Sequence, residues 1–155
     1  TIADAFKAAQ ILVDLATAQA NAQSEARDEK EVAALQEAYG KGATGRGMAT
    51  GGAKAVKELE KEQKSRATRM IRDSIDGALL DIATFFRDVM MVQSGSVDAI
   101  INTDMADAIN AYAAKHPKHT TIEKMSAIME ARTNLSHNAA PLLTCEALMC
   151  RLAKA

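Results

Sequence analysis

The stretch "IRDSIDGALLDIATFFRDVMMVQ", Ile71 to Gln93, decides the fold. Its apolar residues Ile71, Ile75, Leu79, Ile82, Phe86 and Val89 follow a four-three rhythm, with Gln93 in register. That rhythm gathers them on one side of an α-helix, and Ala78, Phe85 and Met90 widen the stripe. The pattern extends back to about Ala53 and predicts a helix from there to Gln93, the spine of the fold. Gly77 lies inside it. A mid-helix glycine costs about 1 kcal/mol relative to alanine, so its presence points to close approach of another helix.

Upstream, "TIADAFKAAQILVDLATAQA" repeats apolar positions at Ile2, Phe6, Ala9, Val13, Ala16 and Ala20. This is again one helical face. The pattern fades through "NAQSEARDEKE" and resumes at Val32 and Leu35, predicting one long helix, or two with a soft joint, ending near Tyr39. Downstream, "SGS" at Ser94–Ser96 ends the spine, and "VDAIINTD" reads as a short apolar connector with weak strand character. Thr103 or Asp104 can cap a helix that runs to about Lys115, with Ala108, Ile109 and Tyr112 on one side. Pro117 disfavours helical geometry at His116 and stops it. Thr120 with Glu123 has the form of a capping box. It precedes a face of Ile122, Met125, Ile128, Met129, Arg132 and Leu135. Asn138 can cap a last helix that tolerates Pro141 in its first turn, with Leu142, Cys145, Met149 and Leu152 inward. The fold class expected is therefore all-α, a bundle of about five or six helices.

Composition agrees. Hydrophobic residues are 48% of the 155 and aromatics only 3%, with Trp absent. Ala, Leu, Ile and Met fill the interior, which favours closely packed helices over a sheet sandwich. Only two prolines occur, so long helices are allowed. No apolar run approaches the roughly 20 residues that span a bilayer. Cys145 and Cys150 stand five apart, divergent on a helix and unsuited to a disulfide. Free thiols fit a reducing cytoplasm. The chain begins without Met in an already helical pattern, as expected of a domain excised from a longer chain.

The segment "YGKGATGRGMATGG", Tyr39–Gly52, holds six of the eight glycines. A phosphate-binding loop would require Gly-Lys-Ser/Thr between a buried strand and a helix. That order is absent, and the preceding segment is helical. Residues 40–52 read instead as a flexible linker that begins where Gly40 stops the first helix.

No catalytic constellation emerges. His116, His119 and His137 lack partners at zinc-ligand spacing. Cys145 reads as core and Cys150 lacks a cationic setting. Asp73, Asp76, Asp81 and Asp88 line the spine without the Glu-x-x-His partners of a di-metal bundle; helix solubility and pairs with Arg72 and Arg87 explain them more simply. No cofactor, metal or catalytic residue is expected.

Net charge is −1, but it is unevenly placed. Residues 53–72 carry seven bases against three acids, and residues 1–39 seven acids against three bases. Lys54, Lys57, Lys61 and Lys64 share one helical face. A solvated face is the plainer reading. The functional one is contact with an acidic partner or with phosphates, and Lys57, Lys61, Lys64, Arg66, Arg69 and Arg72 are the candidate partner-contact residues.

The segment "KELEKEQKSRATRMIRDSIDGALLDIATFFRDVMMVQSG", Lys57–Gly95, resembles the C-terminal domain of actinobacterial DNA polymerase III subunit delta-prime. "QKSRATR" and "FFRDVMMVQSG" are its most specific parts, and the later "IINTD" and "NAAPLLTCEALM" are similar to that family too. The likeness runs over nearly the whole chain and is weakest over the first forty residues and the Gly-rich segment. It implies a helical collar domain of a replicative clamp loader. Such a domain joins the gamma/tau and delta subunits in a hetero-pentamer that loads the sliding clamp in DNA replication. It further implies a non-catalytic, cytoplasmic subunit of DNA polymerase III holoenzyme, a nucleotidyltransferase complex, that meets DNA only indirectly. The family's AAA+ domains, arginine finger and zinc module match nothing here. The competing expectation is a stand-alone helical module that binds nucleic acid through the basic stripe 54–72.

Overall fold

The computed structural model describes residues 1–39 and 51–154. Every α-helix in it follows a run of helical periodicity. The helices are α1 (Ile2–Ala38), α2 (Gly52–Gln93), α3 (Ala106–Lys115), α4 (Lys118–Ser136) and α5 (Pro141–Leu152). Among the described residues the fold is all-α, as the sequence predicts. The first segment is one continuous helix. The glycine linker expected over 40–52 lies outside the described residues up to residue 50; Gly51 has φ 103°, and Gly52 already belongs to α2.

The chain forms two compact units, one of Thr1–Asp14 with Ile75–Ala155 and one of Leu15–Ser74. The larger has its core on the predicted spine. Ile75, Leu79, Ala83, Phe86 and Val89 are buried there, with Ile109 of α3, Ile128 and Leu135 of α4, and Cys145 and Leu148 of α5. Four of the five aromatics lie in this unit, and three of them cluster. Phe85 and Phe86 meet edge to face at 5.4 Å between centroids, and Tyr112 sits edge to face on Phe86 at 5.5 Å. The His116 ring stacks on Tyr112 at 4.1 Å. Such aromatic pairs add roughly 0.5–1.5 kcal/mol each beyond area burial. In the smaller unit the buried residues are small or polar, Ala16, Ala20 and Ser24, and polar contacts hold it together.

Helix ends show the physics of termination. Gly95, φ 80°, ends α2: its N–H donates to the Val92 carbonyl and the Ser96 N–H to the Met91 carbonyl. Asn138, φ 65°, ends α4 in the same way, with its N–H on the Leu135 carbonyl and the Ala139 N–H on that of Asn134. Both are Schellman closures, in which a left-handed residue turns orphan carbonyls toward following amides. Asn138 therefore closes α4 and does not cap α5, whose N-cap is Ala140 with Pro141 in the first turn. Pro117 is the N-cap of α4, so Thr120 lies within the first turn and the expected Thr120–Glu123 capping box does not form. Thr103 and Asp104 belong to a short 3-10 turn before α3 and supply no cap, and the connector before them is 3-10 and turn rather than strand.

Two further expectations are corrected by packing. A Cβ built on Gly77 meets no atom within 4 Å, so no helix approaches there. Ile2, Phe6, Ile122 and Met129, placed on buried faces from their periodicity, are exposed. The buried face of α4 is instead Thr121, Lys124, Ala127, Ile128, Ala131 and Leu135. Ala127 and Ala131 take their places on that face because α5 folds back against α4.

Candidate functional site

The basic residues of α2 separate into two groups. Lys54, Lys57, Lys61, Lys64 and Arg69 are exposed. Arg66 is not free: its Nη2 donates to Asp28 Oδ1 at 2.7 Å and to Glu31 Oε2, both on α1. Gln63 Nε2 joins them by donating to the Asp28 carbonyl at 3.1 Å. The Arg66 guanidinium, aided by Arg27, holds the Glu31 carboxyl well below its ordinary value, at about 2. The same contacts raise the Arg66 pKa. Arg72 is half-buried, and its Nε is buried without a hydrogen-bond partner among the described residues. Of the six candidate contact residues, then, Lys57, Lys61, Lys64 and Arg69 are accessible, and Arg66 ties together the unit of residues 15–74.

The carboxylates of α2 separate as well. Asp73 and Asp81 are exposed. Asp76 pairs with Arg132 of α4 by a two-pronged contact, Nε to Oδ1 at 2.7 Å and Nη2 to Oδ2 at 2.9 Å, and the guanidinium lowers its carboxyl pKa. Asp88, with no exposed surface, does meet Arg87, with Nη1 at 2.7 Å from Oδ1. Its Oδ2 accepts from the Ile101 N–H, the Asn102 N–H and Asn102 Nδ2. Burial pushes this carboxyl up, but those donors outweigh it and hold it below its ordinary value. Asp88 is thus the anchor of the connector between α2 and α3.

Cys145 is buried, and desolvation with Glu146 nearby pushes its thiol up to about 11, so it stays protonated and non-nucleophilic. Both cysteines are free. Among the described residues no group of three or more His, Cys, Asp or Glu is placed to hold a metal ion. No helix of the described residues is long and apolar enough to cross a membrane.

Sequence reasoning missed the outward face of α1. Ala5, Ala9, Ala16 and Ala20 are buried and fall within one narrow arc of the helix. Ile11 and Leu15 lie roughly 110–150° around the axis from the middle of that arc, and are 50% and 65% exposed. Phe6 is exposed about 70° to the other side of that middle, and Ile2 is exposed at the start of the helix. The signal was present at i,i+4 in Ile11 and Leu15, but the alanine register drew the helix face and left them unassigned. Lys124, on which the sequence reading made no assignment, has little exposed surface, and its ammonium lies 5.4 Å from the centroid of the Tyr112 ring.

The chain matches no protein-family model, no curated protein and no solved structure.

Proposed function

We propose that this chain is a subunit-association domain, the helical collar of a bacterial replicative clamp loader of the DNA polymerase III delta-prime kind. In this reading it does no chemistry. It holds neighbouring subunits of the gamma/tau and delta types in a hetero-pentamer in the cytoplasm, and meets DNA only through them. The observation that carries the reading is the exposed apolar surface on both flanks of α1: Ile11 and Leu15 on one, Phe6 on the other. A subunit inside a ring has a neighbour on each side and needs two lateral surfaces. Exposed apolar side chains on opposite flanks of one helix suit that role, since unpartnered apolar groups in water gain by being covered. The resemblance over Lys57–Gly95 supports the same conclusion.

The test is reconstitution with gamma/tau and delta subunits by size exclusion, using the longer subunit that carries this domain. Ile11→Asp with Leu15→Asp is expected to prevent co-elution while circular dichroism stays unchanged, because both positions are exposed. Intact assembly by the folded double variant removes this flank from the interface. Failure of the unaltered subunit to join any such complex removes the reading itself.

The exposed row Lys54, Lys57, Lys61 and Lys64 favours a second reading, a helical module that binds nucleic acid through residues 54–72. Counterion release makes such binding fall steeply with salt. DNA affinity with a steep salt slope supports this reading; no measurable affinity at low salt opposes it.

A further inference from the structure

We propose that the unit of Leu15–Ser74 opens by itself, with Arg66 as its latch, while the unit of Thr1–Asp14 and Ile75–Ala155 stays folded. The two units differ in what they bury. In the larger one Ile75, Leu79, Val89, Ile109, Ile128 and Leu148 are at most 2% exposed. Among the described residues of the smaller one nothing larger than serine is buried: Ala16, Ala20, Ser24 and Gly52. Its larger apolar side chains, Val32, Leu35, Val56, Leu59 and Met70, are only half-buried. Burying one Leu or Ile side chain completely shifts an opening equilibrium about ten- to a hundredfold toward the closed form. The larger unit has several such side chains, and the described part of the smaller has none. Opening within one folded chain begins where buried apolar contact is sparsest.

Polar contacts take over in the smaller unit, and they meet at one level. Arg66 Nη2 donates to Asp28 and to Glu31, and Gln63 Nε2 donates to the Asp28 carbonyl and to Glu31 Oε2. The Arg66, Asp28 and Glu31 side chains keep 26%, 24% and 28% of their surface in water. Pairs open to solvent in this way hold weakly. The Nε atoms of Arg66 and Arg72 are buried with no hydrogen-bond partner among the described residues, and opening gives both of them water. A helix draws most of its stability from packing, so once the latch parts, the α1 and α2 segments of this unit lose protection together. Opening bares Val32, Leu35, Val56 and Leu59, which makes this unit the place where the chain changes its surface at least cost.

The experiment is native-state amide exchange of the unaltered 155-residue chain at neutral pH, read residue by residue. Amides of residues 19–38 and 56–74 are expected to exchange together, with protection about a hundredfold or more below that of Leu79, Val89, Ile128 and Leu148. Within α1 the amides of residues 6–14 are expected to stay protected while those beyond residue 18 do not. Fraying from the chain start gives the opposite order and overturns the proposal. Arg66→Gln is expected to lower protection over 19–38 and 56–74 about three- to tenfold and to leave Leu79 and Ile128 unchanged. Arg69→Gln, at an exposed position of the same helix, is expected to change nothing. Equal protection in the two units overturns the proposal, as does a loss in Arg66→Gln that spreads equally to both. Unchanged exchange in Arg66→Gln overturns the latch.

Discussion

Replacing Asp88 by alanine tests whether one buried carboxylate fixes the path from α2 to α3. Four donors converge on it: the Ile101 N–H at 3.0 Å, the Asn102 N–H at 2.8 Å, Asn102 Nδ2 at 2.7 Å and Arg87 Nη1 at 2.7 Å. A hydrogen bond to a charged group contributes about 1.5–3 kcal/mol, so a simple sum over four would reach about 6–12 kcal/mol. That sum overshoots, because Ile101 is exposed and Asn102 and Arg87 are half-buried. Water takes up most of the freed donors. What remains is the worth of one to two such bonds, about 2–4 kcal/mol. For a chain of this length each kcal/mol lowers Tm by about 2–4 °C. Urea denaturation at neutral pH measures the loss, and amide exchange at Ile101 and Asn102 locates it. Asp88→Asn keeps one acceptor oxygen and is expected to lose less. Asp81→Ala is the control, since Asp81 is exposed two turns away on the same helix face, and its effect is expected within about 0.5 kcal/mol. If Asp88→Ala behaves like Asp81→Ala, the connector is held by something other than this carboxylate.

Two further outcomes follow from the same geometry. Gly77→Ala is expected to stabilise the chain by up to about 1 kcal/mol, because the position is helical and a Cβ there meets nothing; a lowered Tm would restore the close helix approach that the sequence suggested. Glu31 has a depressed pKa in the folded state, so the Glu31–Arg66 contact contributes fully above the ordinary value of 4.5, and that contribution fades as pH falls through about 2. Urea midpoints measured between about pH 5 and 2 are expected to fall less steeply for Arg66→Gln than for the unaltered chain, and parallel slopes would refute the linkage.

The sequence by itself determined the helices. Ile75, Leu79, Phe86 and Val89 recur at a period only a helix can use, and they are buried. Pro117, Gly95 and Pro141 punctuate the chain through fixed or permitted backbone angles, which are local properties. What periodicity could not fix was which side of a helix is covered. On α4, Ile122 and Met129 are the larger apolar residues, yet Ala127 and Ala131 are buried, because close approach of α5 admits only small side chains there. Ion pairing was likewise undetermined. Arg66 and Asp28 are thirty-eight positions apart and Arg132 and Asp76 fifty-six, and no local rule joins them. Local backbone preferences act over a few residues and are written in the chain, whereas burial and charge pairing depend on neighbours that folding alone supplies.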